Sequence, residues 1–181
     1  MGSDLRERKW SRFFTLLDRD GDGLLERSDF EAIVDGVAGA RGIERGTPQY
    51  DMLHAAVMLT WSHIEEFADQ NRDGKATREE WFQTLEDTIR DEAQYAKYVT
   101  PFAEGVFDLL DEDGDGVVGE DEYVRFMRIF GGTEENGREA FRHVDADGDG
   151  RLTRDELLER VREWETGEAP AAPGNWLFGE F

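Results

Sequence analysis

Four 12-residue stretches of this 181-residue chain place oxygen-bearing side chains at the same offsets, 1, 3, 5 and 12. They are Asp18, Asp20, Asp22 and Asp29; Asp69, Asn71, Asp73 and Glu80; Asp111, Asp113, Asp115 and Glu122; and Asp145, Asp147, Asp149 and Glu156. Alternating short acids closed by a distant acid suit a hard cation that takes six to eight oxygens at about 2.3–2.6 Å. Position 6 is glycine in each stretch (Gly23, Gly74, Gly116, Gly150), where the loop must turn sharply. Position 7 contributes only its carbonyl, so Leu24, Lys75, Val117 and Arg151 differ without consequence for the donor set. The chemistry is reversible calcium ligation, with up to four ions per chain.

The four donor sets are unequal. The first ends in Asp29, one methylene shorter than Glu, which makes bidentate closure harder and predicts a weaker calcium site or one more tolerant of Mg2+. Glu26 at position 9 of the same stretch adds a carboxylate that could ligate directly. The second carries Asn71 and so less charge. The third has Gly119 at position 9, which leaves that place to a water, and the fourth keeps every expected feature.

Such loops need a helix on each side. Trp10, Phe13, Phe14 and Leu17 recur at i, i+3, i+4, i+7 before the first loop, as do Ala103, Val106, Phe107 and Leu110 before the third. Phe30, Ile33, Val34 and Val37 follow the first loop, and Tyr123, Phe126, Met127 and Phe130 follow the third at matching offsets. Thr77-x-x-Glu80 and Thr153-x-x-Glu156 are capping boxes, so one residue set starts a helix and offers a ligand. Position 8 (Leu25, Ala76, Val118, Leu152) is expected to pair across each lobe as a short antiparallel bridge. Thr47-Pro48 and Thr100-Pro101 mark helix starts, as does Thr133. Gly36–Gly46 reads as a frayed helix end and a loop. The predicted fold is all-α: four helix–loop–helix hands in two paired lobes packed into one globule. The lobes are 1–95 (first two hands, with an insertion near 36–50) and 96–166 (last two). Residues 167–181 form a linker and an apolar tail that is expected to pack on the lobes.

The formal net charge is −22. Four bound dications would add eight charges and bring it to −14, so binding should be coupled to compaction. This acidity argues against nucleic acid and anionic membranes as partners. There is no cysteine to form a disulfide. No apolar run reaches the ~18 residues of a membrane span. The start, Met1-Gly2-Ser3-Asp4-Leu5-Arg6, lacks a signal-peptide core and has Arg where an acylation motif wants Ser or Thr. A cytoplasmic monomer is the expectation. No nucleotide loop, zinc-protease helix or nucleophile elbow is present. Gly114–Gly119 matches a dinucleotide fingerprint in letters, yet it lies inside a calcium loop.

These loops are EF-hands, and nearly the whole chain resembles the sarcoplasmic calcium-binding protein family and its bacterial calerythrin branch. The likeness rests on four hands, a stretched first pair, the entry Trp10–Leu17 and the apolar tail after the fourth hand. It implies calcium buffering or transport without enzymatic activity. The composition agrees, because sensors expose Met-rich grooves and this chain has four Met against 12 Phe and 5 Trp. The alternatives are a calcium sensor that binds a target protein when loaded and, more remotely, a photoprotein-like oxygenase on the same scaffold.

Overall fold

The computed structural model describes residues 4–180. The residues Met1-Gly2-Ser3, read above for targeting, and the tail residue Phe181 lie outside that range. The elements follow the order α1 (Asp4–Leu17), β1 (Leu24–Glu26), α2 (Arg27–Arg41), α3 (Pro48–Phe67), β2 (Lys75–Thr77), α4 (Arg78–Arg90) and α5 (Glu92–Leu110). The second half continues with β3 (Val117–Gly119), α6 (Glu120–Ile129), α7 (Glu134–Val144), β4 (Arg151–Thr153), α8 (Arg154–Thr166) and a 3₁₀ turn, Pro173–Trp176. The protein is thus mostly helical, with an EF-hand arrangement of helix, loop, bridge and helix repeated four times.

Phe13–Tyr98 forms one compact unit. The other begins at Val99 and also takes in the chain as far as Arg12. The grouping of the N-terminal stretch with the later hands departs from a division read along the chain. Within that unit Lys9, a fully buried lysine, donates its Nζ to the carbonyls of Glu163 and Gly167, each at 2.9 Å, at the end of α8. A cation there complements the negative helix terminus. The ammonium also lies 5.7 Å from the centre of the Trp164 ring, and Arg6 pairs with Glu168 at 3.3 Å.

In the Phe13–Tyr98 unit, β1 and β2 pair antiparallel with Leu25 opposite Ala76, and both side chains are fully buried. Phe30 lies 5.6 Å from Trp61 and Phe13 lies 6.3 Å from Trp81, centre to centre. The other unit repeats the plan: β3 pairs with β4, and Val118 faces Leu152 in the core. There α7 approaches α6 at Gly137, where a Cβ would sit 3.1 Å from Val124 Cγ2. Tyr123, Phe141, Leu157, Val161 and Trp164 complete this core.

Thr47 and Thr133 cap α3 and α7, accepting from the N–H groups of Tyr50 (3.2 Å) and Asn136 (3.1 Å). Two expectations are corrected, the second only in where the helix ends. Thr100-Pro101 does not start a helix, for Pro101 lies inside α5. Asp91 supplies the start instead, accepting from Ala93 N (2.9 Å) and Gln94 N (3.2 Å). Burial of Tyr95, Val99 and Ala103 along one stripe carries the helix through the proline. Likewise Gly36 and Gly39 stay helical, and α2 ends only where Gly42 turns left-handed at φ 64°.

After α8 the chain turns back on its own unit. Leu177 and Phe178 are buried, and Phe178 meets Trp164 edge-on at 5.1 Å. Tyr123 Oη donates to the Leu177 carbonyl at 2.7 Å, and Gly174 N donates to Glu163 Oε2 at 2.7 Å.

Candidate calcium sites

Each loop is organised by its first acid. Asp18 accepts from Gly21 N (2.8 Å) and Gly23 N (3.0 Å). Asp111 accepts from Gly114 N and Gly116 N at 2.8 and 3.1 Å, and Asp145 from Gly148 N and Gly150 N, both at 2.9 Å. The next two acids each accept from the N–H two residues on, as with Asp22 N to Asp20 (3.1 Å) and Leu24 N to Asp22 (2.8 Å). These short bonds wrap the loop around the point its carboxylates face. One oxygen from each of Asp18, Asp20 and Asp22 lies within 4.8 Å of the others. The same holds for Asp111, Asp113 and Glu122, and for Asp145, Asp147 and Asp149. Three anionic oxygens at that separation fit a dication bound to each at about 2.4 Å.

The closing acids fall into two kinds. Asp29 is buried and accepts from Arg19 N and Glu26 N, both at 2.8 Å. Glu122 makes the matching pair with Glu112 N (2.9 Å) and Gly119 N (2.8 Å). Asp29 therefore spans its loop from position 2 to position 9 despite the shorter side chain, although the cluster of its loop comprises only positions 1, 3 and 5. Burial pushes the Asp29 carboxyl above its usual range, and the nearby charges of Asp20 and Asp18 add to the effect. Glu80 and Glu156 instead turn to the capping box. Each accepts from the N–H and hydroxyl of its threonine, at 2.9 and 2.8 Å for Thr77 and at 2.8 and 2.7 Å for Thr153. The Thr153 hydroxyl holds Glu156 below the ordinary carboxylate range.

The second loop is the irregular one. Position 4 turns left-handed in all four, at φ 76°, 60°, 76° and 72°; it is Gly21, Gly114 and Gly148 in three and Arg72 in the second. There Asp69 keeps the bond from position 6, Gly74 N (2.9 Å), but takes its other bond from position 5, Asp73 N (3.0 Å), where its counterparts use position 4. The entry helix also ends early: Asp69 N reaches back five residues to Ile64 O at 3.2 Å, whereas Asp18, Asp111 and Asp145 keep four-residue bonds of 2.9 Å. The sequence carries a signal for this in arginine at position 4, a place that supplies no ligand. Glu26, a candidate ligand of the first loop, is engaged by the Lys75 ammonium across the bridge.

Residues 138–163 match the EF hand domain model and 105–129 the EF-hand domain pair model. The chain is 30% identical to calerythrin of Saccharopolyspora erythraea over 169 residues, 92% of this chain and 93% of that one. It is 33% identical to the sarcoplasmic calcium-binding protein beta chain of Penaeus sp. over 112 residues, 60% of this chain and 58% of the relative. Among solved structures it resembles a Streptomyces coelicolor calcium-binding protein, described in terms of prokaryotic calcium-mediated regulation. The TM-score is 0.74 at 29% identity, over 91% of this chain and 99% of that one.

Proposed function

From the premise that the chain belongs to the calerythrin and sarcoplasmic calcium-binding protein family, EF-hand proteins that bind calcium, we propose that it serves as a cytoplasmic calcium buffer or transporter rather than an enzyme. Asp18, Asp20, Asp22 and Asp29 hold the first ion with the Leu24 carbonyl; Asp69, Asn71, Asp73 and Glu80 hold the second with that of Lys75. Asp111, Asp113, Asp115 and Glu122 hold the third with Val117, and Asp145, Asp147, Asp149 and Glu156 the fourth with Arg151. Calcium is the cargo. The first site, closed by an aspartate, also admits Mg2+.

The observation that carries the buffer reading is the tail. Leu177 and Phe178 occupy apolar surface of the later hands, and Tyr123 fixes them by its bond to the Leu177 carbonyl. A sensor must free such surface on loading. Dye binding to exposed apolar surface tests this. ANS fluorescence should stay flat or fall as calcium is added, and a large rise would favour a sensor. One feature favours that second reading: α3 exposes Met52 and Leu59, seven residues apart on one face, as an apolar strip a target could use.

A further inference from the structure

The β1–β2 bridge sets Glu26 opposite Lys75, and their side chains form an ion pair. Glu26 is position 9 of the first loop, and Lys75 is position 7 of the second. The equivalent pairing in the other sheet is Gly119 with Arg151, which has no carboxylate to engage. Lys75 therefore links ligand positions of two neighbouring sites in the first pair of hands only. We propose that Lys75 is a positioning residue for the first calcium site: it holds Glu26 on the bridge, withholds that carboxylate from the ion, and leaves position 9 to water. The proposal rests on the reading that the loop acids hold calcium.

Several groups bear on the arrangement. The bond from Glu26 raises the affinity of the Lys75 amine for its proton, and the charges of Asp22 and Asp73 act in the same direction. The ammonium thus faces acids of both loops, while Glu26 is its bonded partner. Both side chains are partly exposed, at 43% and 29%, so the pair is of modest strength and can exchange. The first loop is where a withheld carboxylate matters most, because Asp29 closes it with the shortest reach.

The test is a double-mutant cycle read by calorimetry on the full chain with calcium. Lys75→Met should raise affinity at the first site roughly two- to fivefold, the range of a partly exposed ion pair. In a Glu26→Gln background the same substitution should leave that affinity unchanged, and Lys75→Arg should behave like the parent. In the calcium-free protein the carboxyl ¹³C resonance of Glu26 should move with Lys75→Met. An equal gain in both backgrounds would show a mere change of charge and overturn the proposal, as would an unmoved Glu26 resonance. Failure of the underlying reading looks different: Asp18→Asn would leave the number of calcium ions bound unchanged.

Discussion

The imidazole of His143 lies flat on the indole of Trp176, with ring centres 4.0 Å apart and planes 8° from parallel. His143 lies in the last turn of α7, the entry helix of the fourth hand, two residues before Asp145. Trp164 of the exit helix meets Phe178. The tail thus touches both helices of one hand, and a change in their angle must disturb it.

Truncation after Ala172 should therefore expose apolar surface in the calcium-loaded protein. Burial of a side chain such as Leu177 or Phe178 is worth about 1.5–3 kcal/mol. A lower thermal midpoint and stronger ANS fluorescence are expected. An unchanged midpoint and dye signal would show that the tail contributes nothing.

Arg72 holds a left-handed backbone at φ 60° where the other loops use glycine. Such a conformation costs a non-glycine residue about 1–2 kcal/mol. Arg72→Gly should strengthen calcium binding at the second site by a few-fold, and Arg72→Asn, which tolerates the conformation, should recover part of the gain. Calorimetry, with Glu80→Gln identifying the second site, checks both. Equal affinities across the series would mean that the strain is not felt by the ion.

Asp29 already reaches the N–H groups of Arg19 and Glu26. Asp29→Glu should extend the carboxylate toward the Asp18, Asp20 and Asp22 cluster and raise the preference of the first site for calcium over magnesium. Competition curves that coincide before and after the substitution would refute the assignment.

Burial raises the Glu165 carboxyl to about 7, against the lowering influence of Lys9 and Trp10. The folded chain then keeps a proton that the unfolded chain releases above its ordinary value of 4.5. This contribution to stability is complete below that value and is lost as pH rises through about 7. Glu165→Gln should flatten the change of thermal midpoint with pH in this window relative to the parent. Parallel curves would place the titration elsewhere.

The loops and their helices were legible because their signals are periodic: ligands at alternate positions, apolar residues at helical spacing, threonine caps at fixed offsets. Position 8 showed itself in the same way, and Leu25, Ala76, Val118 and Leu152 all lie in the two bridges. What escaped depends on partners far along the chain or on backbone shape. Lys9 reads as a surface residue until its carbonyl partners, more than 150 positions away, are seen. Pro101 reads as a helix start because proline favours the first turn locally, a preference that the buried stripe running through it overrides. The short side chain of Asp29 marks one weak point in the sequence itself. The structure adds Arg72, through the turn its backbone must make.

A calorimetric calcium titration of the full chain, with and without millimolar magnesium, decides whether all four loops bind. Four calcium ions per chain are expected, with uptake that magnesium weakens, most of all at the first site. Fewer than four ions, or binding indifferent to magnesium, would contradict that expectation.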